Sequence, residues 1–226
     1  MADPLQTVEQ VALVAIPIIV AITLHEAAHG YAARHFGDDT AARAGRISLN
    51  PLRHVDLFGT ILLPALLLLS HAGFVFGYAK PVPVNFAALR NPKRDMVWVA
   101  AAGPGMNILL ALLSALALFV ALQFEGMAHK TVLEFFWTSV EINLVLAVFN
   151  LLPVPPLDGG RVAVGLLPQP LSLALAQLNR FGMLLLIAIF ILLPLIGINL
   201  FHYLVQIPVE FLERPLLSLL GIPKET

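Results

Sequence analysis

Cysteine and charge are the two features that this sequence lacks or uses sparingly. None of the 226 residues is cysteine, which excludes disulfides, iron–sulfur clusters and cysteine-based zinc sites. Any metal bound by the protein must therefore use His, Asp or Glu. Only 12% of the residues are charged, about half the share found in soluble domains. The formal net charge of -1 argues against nucleic acid as a partner.

Long apolar runs take the place of the missing charge, and 59% of the residues are hydrophobic. This composition predicts an all-α polytopic membrane protein with about four full transmembrane helices in a single domain, 1–226. The four spans are expected at about Val11–Ala33, Met96–Gln123, Phe135–Leu152 and Phe181–Tyr203. The first ten residues lack the basic start of a cleavable signal peptide, so we expect the first run to stay in the protein.

Two shorter segments interrupt the helical pattern. The apolar run Leu57–His71 contains Pro64 and has about fifteen residues, which suits a short re-entrant segment better than a full span. Basic residues lie on both sides of Leu57–Tyr78, which predicts that both of its ends are cytoplasmic. The segment that follows is rich in proline, which cannot donate to a ladder, and it predicts a small extended or β element. Its residues are Lys80, Pro81, Val82, Pro83, Val84 and Asn85.

The motif His25-Glu26-Ala27-Ala28-His29 lies inside the first apolar run. On a helix, His25 and His29 lie one turn apart on the same face, so their imidazole nitrogens can bind one metal ion. Glu26 lies beside them and can take a proton from an attacking water. Ionisable side chains in an apolar span indicate a function. A buried histidine taken alone is more often a hydrogen-bonded core residue, so this interpretation requires a third ligand.

Two residues are candidates for the third ligand. Asp158 follows Asn150–Leu157, whose three prolines unwind the backbone at the end of the third span. The topology brings Asp158 to the same side as the motif, provided that Leu57–Tyr78 does not cross. His35 is the alternative, because the extended H-E-x-x-H-x-x-G-x-x-H motif is nearly matched. However, Ala32 replaces the glycine, and on a continuing helix His35 lies about 15 Å beyond the first histidine on a different face.

The distribution of charge predicts the orientation in the membrane. Asp3 and Glu9 precede the first span, whereas four arginines follow it, at positions 34, 43, 46 and 53. The positive-inside rule therefore predicts that the N-terminus is outside and that the His-Glu-His end lies near the cytoplasm.

Three motifs together resemble the site-2 protease family of intramembrane zinc metalloproteases, and they lie in the order of that family. They are His25-Glu26-Ala27-Ala28-His29, Gly103-Pro104-Gly105-Met106-Asn107 and Asn150-Leu151-Leu152-Pro153-Val154-Pro155-Pro156-Leu157-Asp158-Gly159. The resemblance is to a minimal form without a PDZ or CBS domain. It implies a catalytic core at about 11–161, with C-terminal helices in 162–226.

The resemblance implies specific roles for the residues of these motifs. The implied ligands of one Zn²⁺ per chain are His25, His29 and Asp158. Glu26 would be the general base, and Asn150 would position the substrate or stabilise the oxyanion. Asn107 would be a second polar contact in the core. The segment Lys80–Asn85 would receive an unwound substrate.

The implied activity is hydrolysis of peptide bonds in or near the transmembrane segments of membrane-protein substrates. The expected partners are therefore transmembrane proteins and the lipid bilayer, and the expected location is the cell membrane (plasma or inner). Two alternatives remain open, namely a metal-binding membrane transporter with several sites along a path and a non-catalytic membrane scaffold. The substrate, the cleavage site and the oligomeric state do not follow from the sequence.

Overall fold

The computed structural model describes residues 4–62, 79–124, 129–219 and 221, which are mostly helical and contain no β-strand. Four helical segments in this described part are long and apolar enough to cross a membrane. They are Glu9–His35, Pro92–Ala121, Lys130–Leu151 and Leu171–Phe190. The expectation of an all-α polytopic membrane protein with about four spans is confirmed at this level.

The α-helices are named in chain order. They are α1 Pro4–His35, α2 Thr40–Arg43, α3 Pro92–Ala121, α4 His129–Leu151, α5 Asp158–Leu166, α6 Leu171–Leu178, α7 Gly182–Ile187, α8 Leu193–Leu195 and α9 Ile207–Leu219. Short 3-10 turns lie at Pro51–Arg53, Phe86–Ala88 and Asn179–Phe181. Wider π-helical turns lie at Leu57–Leu62, Ala188–Leu192 and His202–Gln206.

The centre of the fold is the packing of α1, α3 and α4, with α5 against α3. Ala111 and Ala115 on α3 are fully buried against Val140 and Leu144 of α4. Small side chains at such contacts let two helix backbones approach closely, which is how helices associate where lipid removes the hydrophobic driving force. This close packing holds the start of α5 near the middle of α1 and α3.

The last predicted span lies earlier in the chain than expected. We predicted it at about Phe181–Tyr203, whereas the long apolar helical segment is Leu171–Phe190, built from α6, α7 and the turns that continue them. The chain then turns at Gly197, whose φ of 84° is open to glycine but strained for other residues. The apolar character is continuous through this turn, so hydrophobicity alone could not locate it.

The structure bears differently on the two shorter segments that were predicted to interrupt the helices. Leu57–Leu62 is a helical turn, but residues 63–78 lie outside the described residues, so the re-entrant segment at Leu57–Tyr78 stays a prediction. Lys80–Asn85 forms no strand. Its N–H groups bond to separate acceptors rather than to a partner strand, since Lys80 donates to the carbonyl of His54 and Val82 donates to a side chain. The two prolines have no N–H to donate.

Candidate active site

Three side chains predicted as metal ligands meet at the junction of α1, α3 and α5. His25 and His29 project from one face of α1, and Asp158 is the first residue of α5, 133 residues after His25. Oδ2 of Asp158 lies 3.1 Å from Nε2 of each histidine, and the two Nε2 atoms are also 3.1 Å apart. All three residues are buried. Within the described residues, they form the one group of His, Asp and Glu side chains placed to hold a metal ion.

Gly103 on α3 leaves the space beside these atoms open. A Cβ atom added at this position would overlap Nε2 of both His25 and His29. Gly105 lies two residues further along the same helix, and no described atom lies within 4 Å of a Cβ added there. Gly103 is therefore required by the close approach of α3 to the histidines, whereas Gly105 faces open space.

The hydrogen bonds of the two histidines assign their protons. Nδ1 of His29 lies 2.7 Å from the carbonyl oxygen of Val99, which can only accept. Nδ1 of His25 lies 2.5 Å from Oδ1 of Asn107, whose amide nitrogen donates to Oδ1 of Asn143 at 3.0 Å. Both Nδ1 atoms are therefore donors, so in the neutral rings both Nε2 atoms present lone pairs to Asp158.

This arrangement fits a cation. When both rings are neutral, two Nε2 lone pairs and a carboxylate oxygen lie 3.1 Å from one another with no N–H or O–H between them. Such acceptors repel in a buried site unless a proton or a metal ion lies among them. Two imidazoles and one carboxylate are the donors of a catalytic Zn²⁺ site, which keeps a fourth position open. The bonds from Nδ1 to an amide and to a backbone carbonyl are the partners that orient zinc ligands.

Glu26 contacts the segment that the resemblance assigned to the substrate. It is half-buried on α1, and its Oε2 accepts a hydrogen bond of 2.7 Å from the backbone N–H of Val82. The segment Lys80–Asn85 is held at both ends. Arg46 donates to the carbonyl of Lys80 at 2.7 Å, and the N–H of Asn85 donates to Asp38 at 2.6 Å. Glu26, the predicted base, therefore contacts this segment and is the chain neighbour of His25 in the cluster.

Two candidates lie apart from the cluster. The amide of Asn150 donates to the carbonyl of Leu146 at 3.0 Å within α4, and no described contact joins it to the cluster. Its role at the oxyanion stays a prediction. His35 is exposed at the end of the unbroken helix α1, with its ring against Phe36. The structure thus places Asp158, and not His35, beside the two histidines.

Two groups of the site were not predicted from the sequence. Asn143 is fully enclosed and bonds to Asn107, and an asparagine inside an apolar span is itself a signal for such a partner. The second group is the carbonyl of Val99. No pattern of residue types could have revealed it, because every residue carries a carbonyl.

Comparisons with known proteins agree with this geometry. The family model described as Peptidase family M50 matches residues 13–126 and 119–192. YwhC of Bacillus subtilis (strain 168) is 41% identical over 181 residues, which cover 78% of each chain. Rip2 of Mycolicibacterium smegmatis is 30% identical over 83% of this chain and 70% of its own length. Rip2 of Mycobacterium tuberculosis (strain H37Rv) is 30% identical over 76% of this chain and 64% of its own length. These relatives are named as candidate zinc metalloproteases, and no solved structure gives a match.

Proposed function

Since the chain belongs to peptidase family M50, the site-2 protease family, we propose that it is a zinc-dependent endopeptidase that cleaves membrane-protein substrates in or near their transmembrane segments. One observation carries the proposal. Nε2 of His25, Nε2 of His29 and Oδ2 of Asp158, which are all acceptors when the two rings are neutral, lie 3.1 Å from one another, and Glu26 follows His25 directly in the chain. Four apolar helices support a substrate that is itself embedded in the membrane.

The three converging side chains are the proposed zinc ligands, one ion per chain. When bound, zinc lowers the pKa of a coordinated water to about 7 and polarises a peptide carbonyl. The protein supplies the orientation. Asn107 and the Val99 carbonyl fix the histidine rings, and Arg161 lies 3.4 Å from the second oxygen of Asp158.

Glu26 is the proposed general base. It takes a proton from the attacking water and returns it to the leaving amine, a role that contributes about 10²–10⁴-fold in rate. Its Oε2 is held by the N–H of Val82, so we assign the proton transfer to the other oxygen, Oε1. The backbone bond fixes the side chain without a second titratable group.

The segment Lys80–Asn85 is the proposed substrate contact. A transmembrane helix shields its scissile carbonyl with its own hydrogen bonds, so the substrate must unwind before attack. An irregular segment beside Glu26 offers backbone groups to such an unwound chain. Asn150 would stabilise the oxyanion if its amide leaves the Leu146 carbonyl, a contribution of about 2.7–4 kcal/mol in other oxyanion holes.

The remaining features of the proposal concern the whole chain. We place the N-terminus outside, the active site near the cytoplasmic side and the protein in the cell membrane. Residues 1–226 then form one domain, with its catalytic core at about 11–161 and Leu57–Tyr78 re-entering from the cytoplasmic side. The charge asymmetry around α1 supports this orientation.

The proposal is tested by zinc content and peptide cleavage in the purified full chain. The wild type and Glu26→Gln should each hold about one zinc, whereas Asp158→Ala should lose most of it. Only the wild type should cleave a panel of single transmembrane segments reconstituted with it, with products read by mass spectrometry. Glu134→Gln removes an exposed carboxylate far along the chain and should keep both zinc and cleavage. Full zinc in Asp158→Ala, or cleavage by Glu26→Gln at the wild-type rate, would contradict the proposal.

A further inference from the structure

A basic cleft of about 590 Å³ lies beyond the C-terminal end of α1, next to the segment that contacts Glu26. Among the residues that the structure describes, its lining includes four cationic side chains and no acidic one. The cations are Arg43, Arg46, Arg53 and Lys80. Lys80 begins the proposed substrate segment and Arg46 holds that segment, but none of the four cations takes part in the proton transfer assigned to Glu26.

The cations of the basic cleft form no direct ion pair with a carboxylate within the described residues, where arginine pairs occur elsewhere, although the charge of Arg43 acts on Asp38. Arg53 donates to the carbonyl of Gly45, and Arg46 donates to the carbonyls of Lys80 and Pro81. Nε of Arg46 is buried and has no hydrogen-bond partner. Four clustered positive charges favour an anion with several oxygens, such as a phosphate.

One exposed leucine lines the same cleft, and two more lie near it in the chain. Leu52 lines it and is 77% exposed, and Leu49 and Leu57 are 64% and 77% exposed nearby in the chain. Leucines presented beside a cluster of arginines are typical of a surface that enters the membrane interface, with the apolar groups among acyl chains and the cations at the headgroups. A site for a soluble phosphate compound needs no such border.

We propose that the basic cleft binds the phosphate of an anionic membrane lipid. The binding itself requires only that the chain lies in a membrane and does not depend on its being a protease. The bound lipid also acts on the proposed active site. Arg46 holds the carbonyls of Lys80 and Pro81, and the next residue, Val82, donates to Glu26. A phosphate at Arg46 therefore sets the position of the segment that holds the base.

The test measures lipid binding by the purified full chain in a neutral detergent. Short-chain phosphatidylglycerol and phosphatidylcholine are titrated separately, and binding is read from retained lipid in native mass spectrometry and from the thermal unfolding midpoint. Phosphatidylglycerol should bind in preference to phosphatidylcholine. Arg43→Gln and Arg53→Gln should each weaken its binding about fivefold. Arg94→Gln removes an exposed charge at the start of α3, outside the cleft, and should leave binding unchanged.

Three outcomes would overturn the proposal. Equal loss in Arg94→Gln and Arg43→Gln would mean that the surface charge as a whole attracts the lipid. Equal binding of the two lipids would mean that the phosphate charge is not recognised. Stabilisation by inorganic phosphate, with no gain from phosphatidylglycerol, would assign the cleft to a soluble anion. Zinc content measured on the same samples reports separately on the proposed function, since the cleft variants should keep their zinc.

Discussion

A chain of buried polar side chains runs from His25 into the apolar interior. Asn107 bonds to His25 and to Asn143, whose amide donates to the carbonyl of Ser139 at 2.8 Å. The hydroxyl of Ser139 lies 2.8 Å from that of Ser114. Polar groups in such surroundings are costly unless they are paired, and here each one orients the next. Asn143 therefore determines which atom Asn107 presents to His25.

Replacing Asn143 with alanine should weaken zinc binding. The amide nitrogen of Asn107 would lose its closer acceptor and keep only the carbonyl of Ala21 at 3.5 Å, so it could more easily turn toward Nδ1 of His25, which is itself a donor. Removal of such supporting partners costs about 10–100-fold in metal affinity. Competition with a chelator measures the zinc affinity of the wild type and of each variant. The control is Ser114→Ala, which removes only the far end of the chain, and equal zinc affinities in the two variants would contradict the prediction.

The approach of α3 to α1 depends on a single position. A side chain at Gly103 would overlap both Nε2 atoms, whereas one at Gly105 would meet nothing. Gly103→Ala should therefore lose zinc, and Gly105→Ala should keep it, although both changes add one methyl group to the same helix. Zinc per chain and the far-ultraviolet circular dichroism of both variants separate loss of the site from loss of the fold. Zinc retained in Gly103→Ala would show that the two helices can move apart.

Asp38 ties the turn after α1 to the segment that contacts Glu26. Its side chain is almost fully buried and accepts hydrogen bonds from the N–H groups of Thr40 at 2.9 Å and Asn85 at 2.6 Å. Asp38→Asn places an amide donor against one of these N–H groups and should cost about 1–3 kcal/mol in the free energy of unfolding. Asp39→Asn is the matched control, because Asp39 is half-exposed and pairs only loosely with Arg34, at 3.8 Å. Denaturant unfolding of both variants measures the difference.

The contribution of Asp38 to the free energy of unfolding should also depend on pH. Burial raises the pKa of this carboxyl, but the hydrogen bonds from Thr40 and Asn85 and the charge of Arg43 outweigh it, so the pKa lies below its ordinary value. A lowered pKa in the folded state means that the stabilisation is complete above the unfolded pKa, about 3.9, and is lost as the pH falls further. The difference in free energy of unfolding between the wild type and Asp38→Asn should thus be constant from pH 7 to 5 and shrink below about pH 4. A gap that widens in acid would contradict this.

The chain as a whole offers a direct test of its orientation, because it has no cysteine of its own. Helix α3 has 30 residues and is about 45 Å long, enough to carry its ends to opposite membrane surfaces. Single cysteines at Arg94→Cys and Gln123→Cys, both exposed, mark these ends. In sealed right-side-out vesicles, an impermeant maleimide should label position 123 at once and position 94 only after permeabilisation. The reverse pattern would place the proposed site outside.

The sequence predicted some parts of the molecule better than others, for physical reasons. The first three spans follow from apolar runs bounded by charge or proline, and the structure has helices at each of them. The break at Gly197 lies within a continuous apolar run, so no change in residue type marked it. The meeting of His25 with Asp158 could be foreseen because motif spacing and loop charge pointed to the same end of the bundle. Contacts made by backbone atoms, such as the carbonyl of Val99, leave no trace in the sequence.

The hydrogen bond between Val82 and Glu26 has a genetic consequence. Its donor belongs to the peptide backbone, so every substitution of Val82 except proline keeps the N–H group that donates it. In an alanine scan, Val82→Ala would keep the N–H donor and would measure only the loss of the buried valine side chain. Val82→Pro alone deletes the N–H, in a chain whose neighbours at 81 and 83 already have the restricted backbone of proline. The side chain at position 82 can therefore change in evolution while the backbone donor to Glu26 is kept.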